Sequence, residues 1–358
     1  MTDREPVEWR VLATEIGDDE LVAWTARIAT PVAVTGASGF VGSHLVEALV
    51  RARLRPRVLV REPSRLLPTL RGAVDIVRGD LEDVATLGTL LQGAGTVFHL
   101  AGLVRAPGEA QFDRANRVGT ERLVAACGRA RPDALFVYVS SLAAAGPSRE
   151  PGGKLPDAAA EPVSAYGRSK LAGECAVARG CRRWVVVRPP AIYGPRDIDV
   201  LQFFRLLARG VVPVPSGERW VTLTHVADVV RGILAAGSGE CAGRVLHVGD
   251  PVPQRMDELL RAMAHAGGVR ARVVPVPPAL VRLGGLGGDV LHRLGFRSVA
   301  LTSDKACELL ARHWSASTAE SLRALRLEGF VPFSSGAAAT WAWYRDQGIL
   351  PRVTIRDA

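Results

Sequence analysis

Val32-Ala33-Val34-Thr35-Gly36-Ala37-Ser38-Gly39-Phe40-Val41-Gly42 joins a short apolar run to three glycines spaced three apart, and a helical pattern (His44 to Ala52) comes directly after. This reads as a strand, a tight turn and a helix N-terminus. The turn needs a residue that tolerates positive φ, and side chains are excluded where backbone must approach a phosphate. The helix end adds unpaired N–H groups and a partial positive charge, which suit a pyrophosphate. An ordinary strand-to-helix turn would show the same glycines, so the reading depends on the rest of the chain.

Outward from this loop, apolar runs of strand length alternate with helical patterns. Strands are predicted at Val32–Thr35, Arg57–Val60, Val74–Val77, Thr96–Leu100, Leu135–Val139 and Trp184–Val187. Helices are predicted at Val41–Ala52, Asp83–Leu91, Gln111–Arg129 and Ala165–Ala178. Continuous apolar strands in such alternation predict an α/β fold, a doubly wound parallel sheet covered on both faces. After Arg188, Pro and Gly become dense; Thr222–Asp228 then leads into a helix and Arg244–Val248 forms a late strand. Residues 31–189 and 222–250 are therefore expected to form a dinucleotide-binding Rossmann domain. Residues 190–221 and 251–358 would form a smaller C-terminal substrate lobe, and residues 1–30 an extension outside the core with a short helix near Asp19–Ile28. The apolar segment Pro278–Leu294 reads as a packed lobe helix, a lid or a membrane-surface helix.

Bulk properties narrow the class. With 48% hydrophobic and 23% charged residues the chain is globular. No apolar run reaches the roughly 20 residues a membrane span needs. The charged start, Met1 to Glu20, lacks the apolar region of a secretory signal. The five cysteines show no CxxC pair and no metal spacing, which predicts reduced thiols, no metal and a cytoplasmic protein. The net charge of +9 is carried almost wholly by scattered arginines without interleaved aromatics, which argues against a nucleic-acid partner.

Arg61 ends the second strand, where an acidic residue would favour NAD and an arginine accommodates the 2′-phosphate of NADP. With Arg65 behind it, NADP(H) is favoured; Glu62 on the ribose would make the cofactor NAD(H). Asp80 and Leu81 come after the third strand, and Asp80 is placed to accept from an adenine amino group. Leu100, Ala101 and Gly102 end the fourth strand as backbone that lies against the cofactor, while His99 reads as structural. Ser140-Ser141 ends the fifth strand, and Tyr166 and Lys170, four apart, share one face of the next helix. A tyrosine with a pKa of about 10 is a poor base at neutral pH. An ammonium beside it favours the phenolate, which then trades a proton with a substrate oxygen held by a serine hydroxyl.

Together TGASGFVG, GDLED, VFHLAG, Asn116-Arg117-Val118-Gly119-Thr120, YVSSLAAAG, SAYGRSK, VVVRPPAIYGPRD and THVADVV resemble the extended short-chain dehydrogenase/reductase family, also called the NAD-dependent epimerase/dehydratase family. The resemblance implies a Rossmann-type sheet of about seven strands. It implies a homodimer through the helices Gln111–Arg129 and Ala165–Ala178. It implies a catalytic triad of Ser141, Tyr166 and Lys170, with Ser141 preferred to Ser140 because Gly146 then matches the family's Tyr-Gly glycine. The expected cofactor site is Gly36, Ser38, Gly39, Phe40, Val41, Arg61, Arg65, Asp80, Leu81, Leu100, Ala101, Gly102, Tyr166, Lys170, Pro189 and Ile192.

Three departures bear on the reaction. Leu142-Ala143 stands where dehydratases of the family carry an Asp-Glu pair. The arginine that grips a sugar-nucleotide phosphate is missing near Val221, with Arg219 close but out of register. The expected substrate residues, Leu103, Val104, Leu142, Ala143, Ala191 and Tyr193, are apolar but for one phenol, which suits a small hydrophobic ketone or alcohol. The sequence thus points to an NADP(H)-dependent ketoreductase or alcohol dehydrogenase similar to the 3β-hydroxysteroid dehydrogenase and dihydroflavonol reductase branches. A nucleotide-sugar epimerase with retained NAD and a non-catalytic NADP sensor remain the alternatives.

Overall fold

The structure, a computed structural model, describes residues 16–106, 108–293 and 301–351. Residues 1–15 of the expected extension, Leu294 of the apolar segment 278–294 and residues 352–358 lie outside the described residues. Strands β1 (Val32–Thr35), β2 (Arg57–Val60), β3 (Asp75–Arg78), β4 (Thr96–His99), β5 (Leu135–Val139), β6 (Arg183–Arg188) and β7 (Arg244–His247) form one sheet in the order β7-β6-β5-β4-β1-β2-β3. Every pairing in it is parallel, and the order reverses between β1 and β4, the switch point where a dinucleotide binds in such sheets.

The helices used below, in chain order, are α1 (Asp18–Thr25), α2 (Phe40–Arg51), α3 (Val84–Leu91), α4 (Gly119–Ala130), α5 (Ala165–Gly180), α6 (Leu201–Ala208), α7 (Val226–Ala236), α8 (Met256–Ala266), α9 (Pro278–Arg293), α10 (Ser303–Leu310), α11 (Ala319–Leu325) and α12 (Phe333–Asp346). Side chains alternate across the sheet. Val32, Val34, Val58, Val137 and Val185 join one core with α2 and α7; Ala33, Leu59, Phe136, Tyr138 and Val186 join the other with α3, α4 and α5. Apolar side chains on both faces explain why these strands read as unbroken hydrophobic runs. A third core unites α6, α8 and α12 around Phe204, Trp341 and Tyr344.

The structure moves some expected boundaries. β3 starts at Asp75 and not Val74, because its pairing with β2 sets Asp75 opposite Arg57. The helix expected over 111–129 is broken into a turn at Glu109–Phe112, a π-helical turn at Asp113–Val118, and α4. The wider turn accompanies an Asn116 side chain that is fully buried, and such turns often sit at functional sites. Residues 319–327, expected in the lobe, return to the sheet, where Leu322, Leu325 and Leu327 pack into its first core.

The described part of the extension does not stand outside the fold. Ile16, Leu21 and Ile28 are buried in the same core as α2 and α7, since three apolar side chains on one short segment gain more by burial than by exposure. Asp18 pairs with Arg51 at 2.7 Å and Glu20 with Arg231 at 2.9 Å. Leu21→Ala removes a fully buried side chain and should cost about 2–5 kcal/mol in denaturant unfolding. An unchanged midpoint would detach this segment from the core.

Candidate active site

The glycine loop is shaped by close approach. Gly36 has φ +77°, and a Cβ there would lie 2.6 Å from the Leu100 carbonyl carbon and the Ala101 nitrogen. A Cβ on Gly42 would lie 2.0 Å from the Gly36 carbonyl oxygen. No side chain caps α2 at Gly39, so its first N–H groups are left to other partners, with Ser38 and Gly39 exposed and Phe40 and Val41 half-buried. Glycine backbone against the β4 end, next to an uncapped helix, fits a dinucleotide pyrophosphate.

Arg61 directly succeeds β2, and Arg65 ends the next turn; both are exposed, and neither guanidinium has a partner among the described residues. Arg71 steadies this turn by donating to the carbonyls of Ser64 (2.7 Å) and Leu66 (3.3 Å). Asp80 is exposed and accepts from the Glu82 N–H, while Leu81 lies against Gly119. Ala101 N–H donates to Thr35 Oγ1, which holds the Leu100-Ala101-Gly102 backbone beside the loop.

The structure sets Ser141 near Tyr166 and places Lys170 one turn further along the same helix. Ser141 Oγ caps the single helical turn Leu142–Ala145 by accepting from Ala143 N–H at 3.1 Å, and its hydroxyl lies close enough to the Tyr166 phenol to lower its proton affinity. Tyr166 sits in the first turn of α5, which Ser164 caps. Lys170, one turn on and buried, donates from Nζ to the Val139 carbonyl at 2.7 Å and lies 4.3 Å from the Tyr138 ring centroid. Gly102 borders it, since a Cβ there would be 3.9 Å from Nζ. Ser140 is committed elsewhere: its hydroxyl donates to Glu174 Oε1, which also pairs with buried Arg188. Ser141 thus keeps the hydroxyl that faces the phenol.

Burial dominates the electrostatics. It pushes the Tyr166 phenol well above its ordinary value; the Ser141 hydrogen bond lowers it only in part, and the Glu308 and Asp199 carboxylates raise it. Burial also pulls Lys170 down to about 7, with Glu174 opposing. Burial therefore disfavours, in the protein alone, the phenolate expected from an adjacent ammonium. His99 falls to about 3 through burial, with Lys170 adding, and is fixed between Thr35 and Thr120 at 2.6 and 2.9 Å. It is a core residue.

The expected substrate residues separate into two groups. Leu103, Val104 and Ala191 are exposed near the β4 and β6 ends, and Ile192 is half-buried against the first core. Leu142 and Tyr193 cannot line an open pocket: Leu142 packs on Ala145 and Ala316, and Tyr193 on His225 and Phe333 in the lobe core. Ala143 is buried, and the Pro189 carbonyl accepts from Leu142 N–H. Arg219 is spent on structure, donating to the carbonyls of Pro215, Ser216, Leu310 and Ala311.

Sequence reasoning assigned no role to several supporting residues, Asn116 among them although its segment was quoted. Asn116 accepts from Leu103 N–H at 2.7 Å and donates to Leu103 O and Ser169 Oγ, so it fixes the loop after β4 to α5. Glu174, four residues past Lys170 on the same helical face, carried a signal in its spacing. Asp304 accepts from Ala165 N–H at 2.7 Å from 139 residues away, and nothing local announced it.

The model of the NAD dependent epimerase/dehydratase family matches residues 32–249. The chain belongs to this family. Within it, the chain is similar to a ceramide reductase of Caulobacter vibrioides, 37% identical over 330 residues that cover 90% of this chain and 96% of the relative. It is also similar to a 4-hydroxy-2-methyl-3-oxo-4-farnesyl-3,4-dihydroquinoline-1-oxide ketoreductase of Stigmatella aurantiaca, at 30% identity over 85% of this chain and 97% of the relative. Among solved structures, MoeE5 in complex with UDP-glucose and NAD superposes with a TM-score of 0.68 at 26% identity, covering 89% of this chain and 99% of that one. The family member described here is an NAD(P)-dependent oxidoreductase of the short-chain dehydrogenase/reductase type.

The depressed Lys170 makes a stability prediction. Between about 7 and its ordinary value the unfolded chain binds the proton that the native state has lost, so this group's contribution to stability rises with pH across that window and is lost as pH falls through about 7. The stability of wild type minus that of Lys170→Met, from urea melts, should increase from pH 7 to 10. A flat difference would mean that Lys170 keeps its ordinary affinity for the proton.

Proposed function

We propose that this chain is an NADP(H)-dependent reductase of a ketone on a hydrophobic, lipid-like substrate, with ceramide-class molecules as the leading candidates. The observation that carries the proposal is Ser141 near Tyr166, with Lys170 one turn on and bordering Gly102, in a site that has Leu142-Ala143 after Ser141 and an Arg219 engaged by backbone carbonyls. The ceramide reductase relative supports a lipid-borne carbonyl. The exposed Leu103, Val104 and Ala191 supply apolar contact for such a chain. A nucleotide-sugar epimerase would need a cation for the diphosphate, and Arg219, the arginine nearest that position in sequence, is already engaged by four backbone carbonyls.

A bound nicotinamide supplies the hydride. Ser141 holds the substrate oxygen and orients the carbonyl. Tyr166 donates the proton: a phenol pushed upward by burial keeps its proton through neutral pH and acts as an acid, the role that reduction requires. Lys170 binds ribose hydroxyls and adds positive charge when protonated. Arg61, with Arg65 near it, pairs with the 2′-phosphate, for which a guanidinium is a bidentate partner. The dimer would form through α4 and α5, where Val124, Ala125, Gly128, Ala176 and Gly180 line a shallow groove that a second copy could fill. The five free cysteines suit a cytoplasmic setting.

Tyr166→Phe should lower turnover by roughly 10²–10⁴ in a ketone-dependent NADPH oxidation assay while NADPH affinity stays near wild type. Unchanged turnover would remove the phenol from the chemistry. Arg61→Asp should move cofactor preference from NADPH towards NADH, read as the ratio of kcat/KM values. A wild type that already prefers NADH would overturn the 2′-phosphate assignment.

A further inference from the structure

Helix α9 presents an apolar face to solvent. Leu280, Leu283, Leu286, Val290 and Leu291 lie on one side of it and are 45–62% exposed. Its opposite side, with Val281, Gly285 and Gly288 buried, packs against α10: a Cβ on Gly285 would come within 2.9 Å of Ala306. Among the described residues these side chains are left about half exposed. Such a stripe on a water-facing helix is costly unless something covers it.

The surroundings say what does. Between Arg270 and Arg293 the chain carries four arginines and a single acid, Asp289. That carboxylate turns inward and accepts from Ser303 N–H. Arg270, Arg272 and Arg282 are exposed, and the two-stranded ribbon leading into α9 exposes Val211 and Val274 as well. Leucine along one face, flanked by arginine and almost free of acids, matches a helix lying in the interface of an anionic bilayer. Among the described residues no helix is long and apolar enough to cross a membrane, so contact would be from one side only.

The face is also tied to the active site. Asp304 of α10 caps the first residue of the catalytic helix, and Glu308 of α10 acts electrostatically on the Tyr166 phenol. Helix α10 thus touches both α9 and the start of the catalytic helix. We propose that α9 docks this protein onto an anionic lipid surface, so that the cleft opens towards substrate held in the bilayer; this rests on the reading of the substrate as a lipid ketone. A peptide groove would be concave, and the face that suits a second copy lies on α4 and α5.

The test is flotation of the full chain with phosphatidylcholine vesicles with and without phosphatidylglycerol. The wild type should float with the anionic vesicles and far less with the neutral ones. Leu283→Glu combined with Leu286→Glu should lower the floated fraction by about tenfold. This variant should keep its melting temperature and its turnover of a water-soluble ketone with NADPH. Leu283→Gln with Leu286→Gln provides a second, uncharged variant with the same expected direction. A wild type that stays at the bottom, variants that float as well as wild type, or variants that change from dimer to monomer on size exclusion would overturn the proposal. Flotation without turnover of any ketone would sink the reductase reading and leave the lipid face standing.

Discussion

The buried ion pair between Glu174 and Arg188 is the constraint on which the site depends. It joins the middle of α5 to the end of β6 at 2.6 Å, and Glu174 also takes the Ser140 hydroxyl from the end of β5. Three elements are thereby locked in one register. Replacing such a pair by apolar groups is often neutral for stability, so its contribution here is positional: it fixes how far α5 slides along the sheet. A slide of one residue would turn Tyr166 and Lys170 off the face that meets Ser141. With Glu174 holding Ser140, the chain distinguishes two adjacent serines that are identical in chemistry and differ only in which carboxylate they can reach.

Desolvation then acts on both titrating groups of the site. One dry environment acts on a phenol and an ammonium with opposite signs, raising the proton affinity of Tyr166 and lowering that of Lys170. Both groups are driven towards neutrality. An acid that holds its proton suits delivery to a nascent alkoxide. Oxidation of an alcohol would demand the reverse, a phenolate, and a dry site gives that form no help without added positive charge.

The sheet was largely legible because parallel strands buried on both faces leave long apolar runs, and β1, β2 and β5 lie where those runs predicted. The glycine loop was legible because the backbone approach at Gly36 and Gly42 admits no other residue. Tyr166 and Lys170 were legible because helical periodicity reports a shared face. What escaped notice is held by distant contacts. Asp304 caps α5 from the far side of the chain, Asn116 turns inward at a π-helical turn that periodicity does not encode, and α1 and α11 join the core through a few apolar residues each. Tyr193 illustrates the opposite failure: its place after β6 suggested a pocket wall, but aromatic packing on His225 and Phe333 drew it into the lobe core.

Arg219 sets a limit on how this scaffold could diverge. Its guanidinium is the knot where the Pro215-Ser216 bend and the Leu310-Ala311 turn meet, because it donates to carbonyls of both. Freeing that cation to greet a diphosphate would strand four acceptors and loosen two loops together. Recruiting that arginine to a sugar nucleotide would thus demand rebuilding this corner of the molecule, not a single exchange of residues.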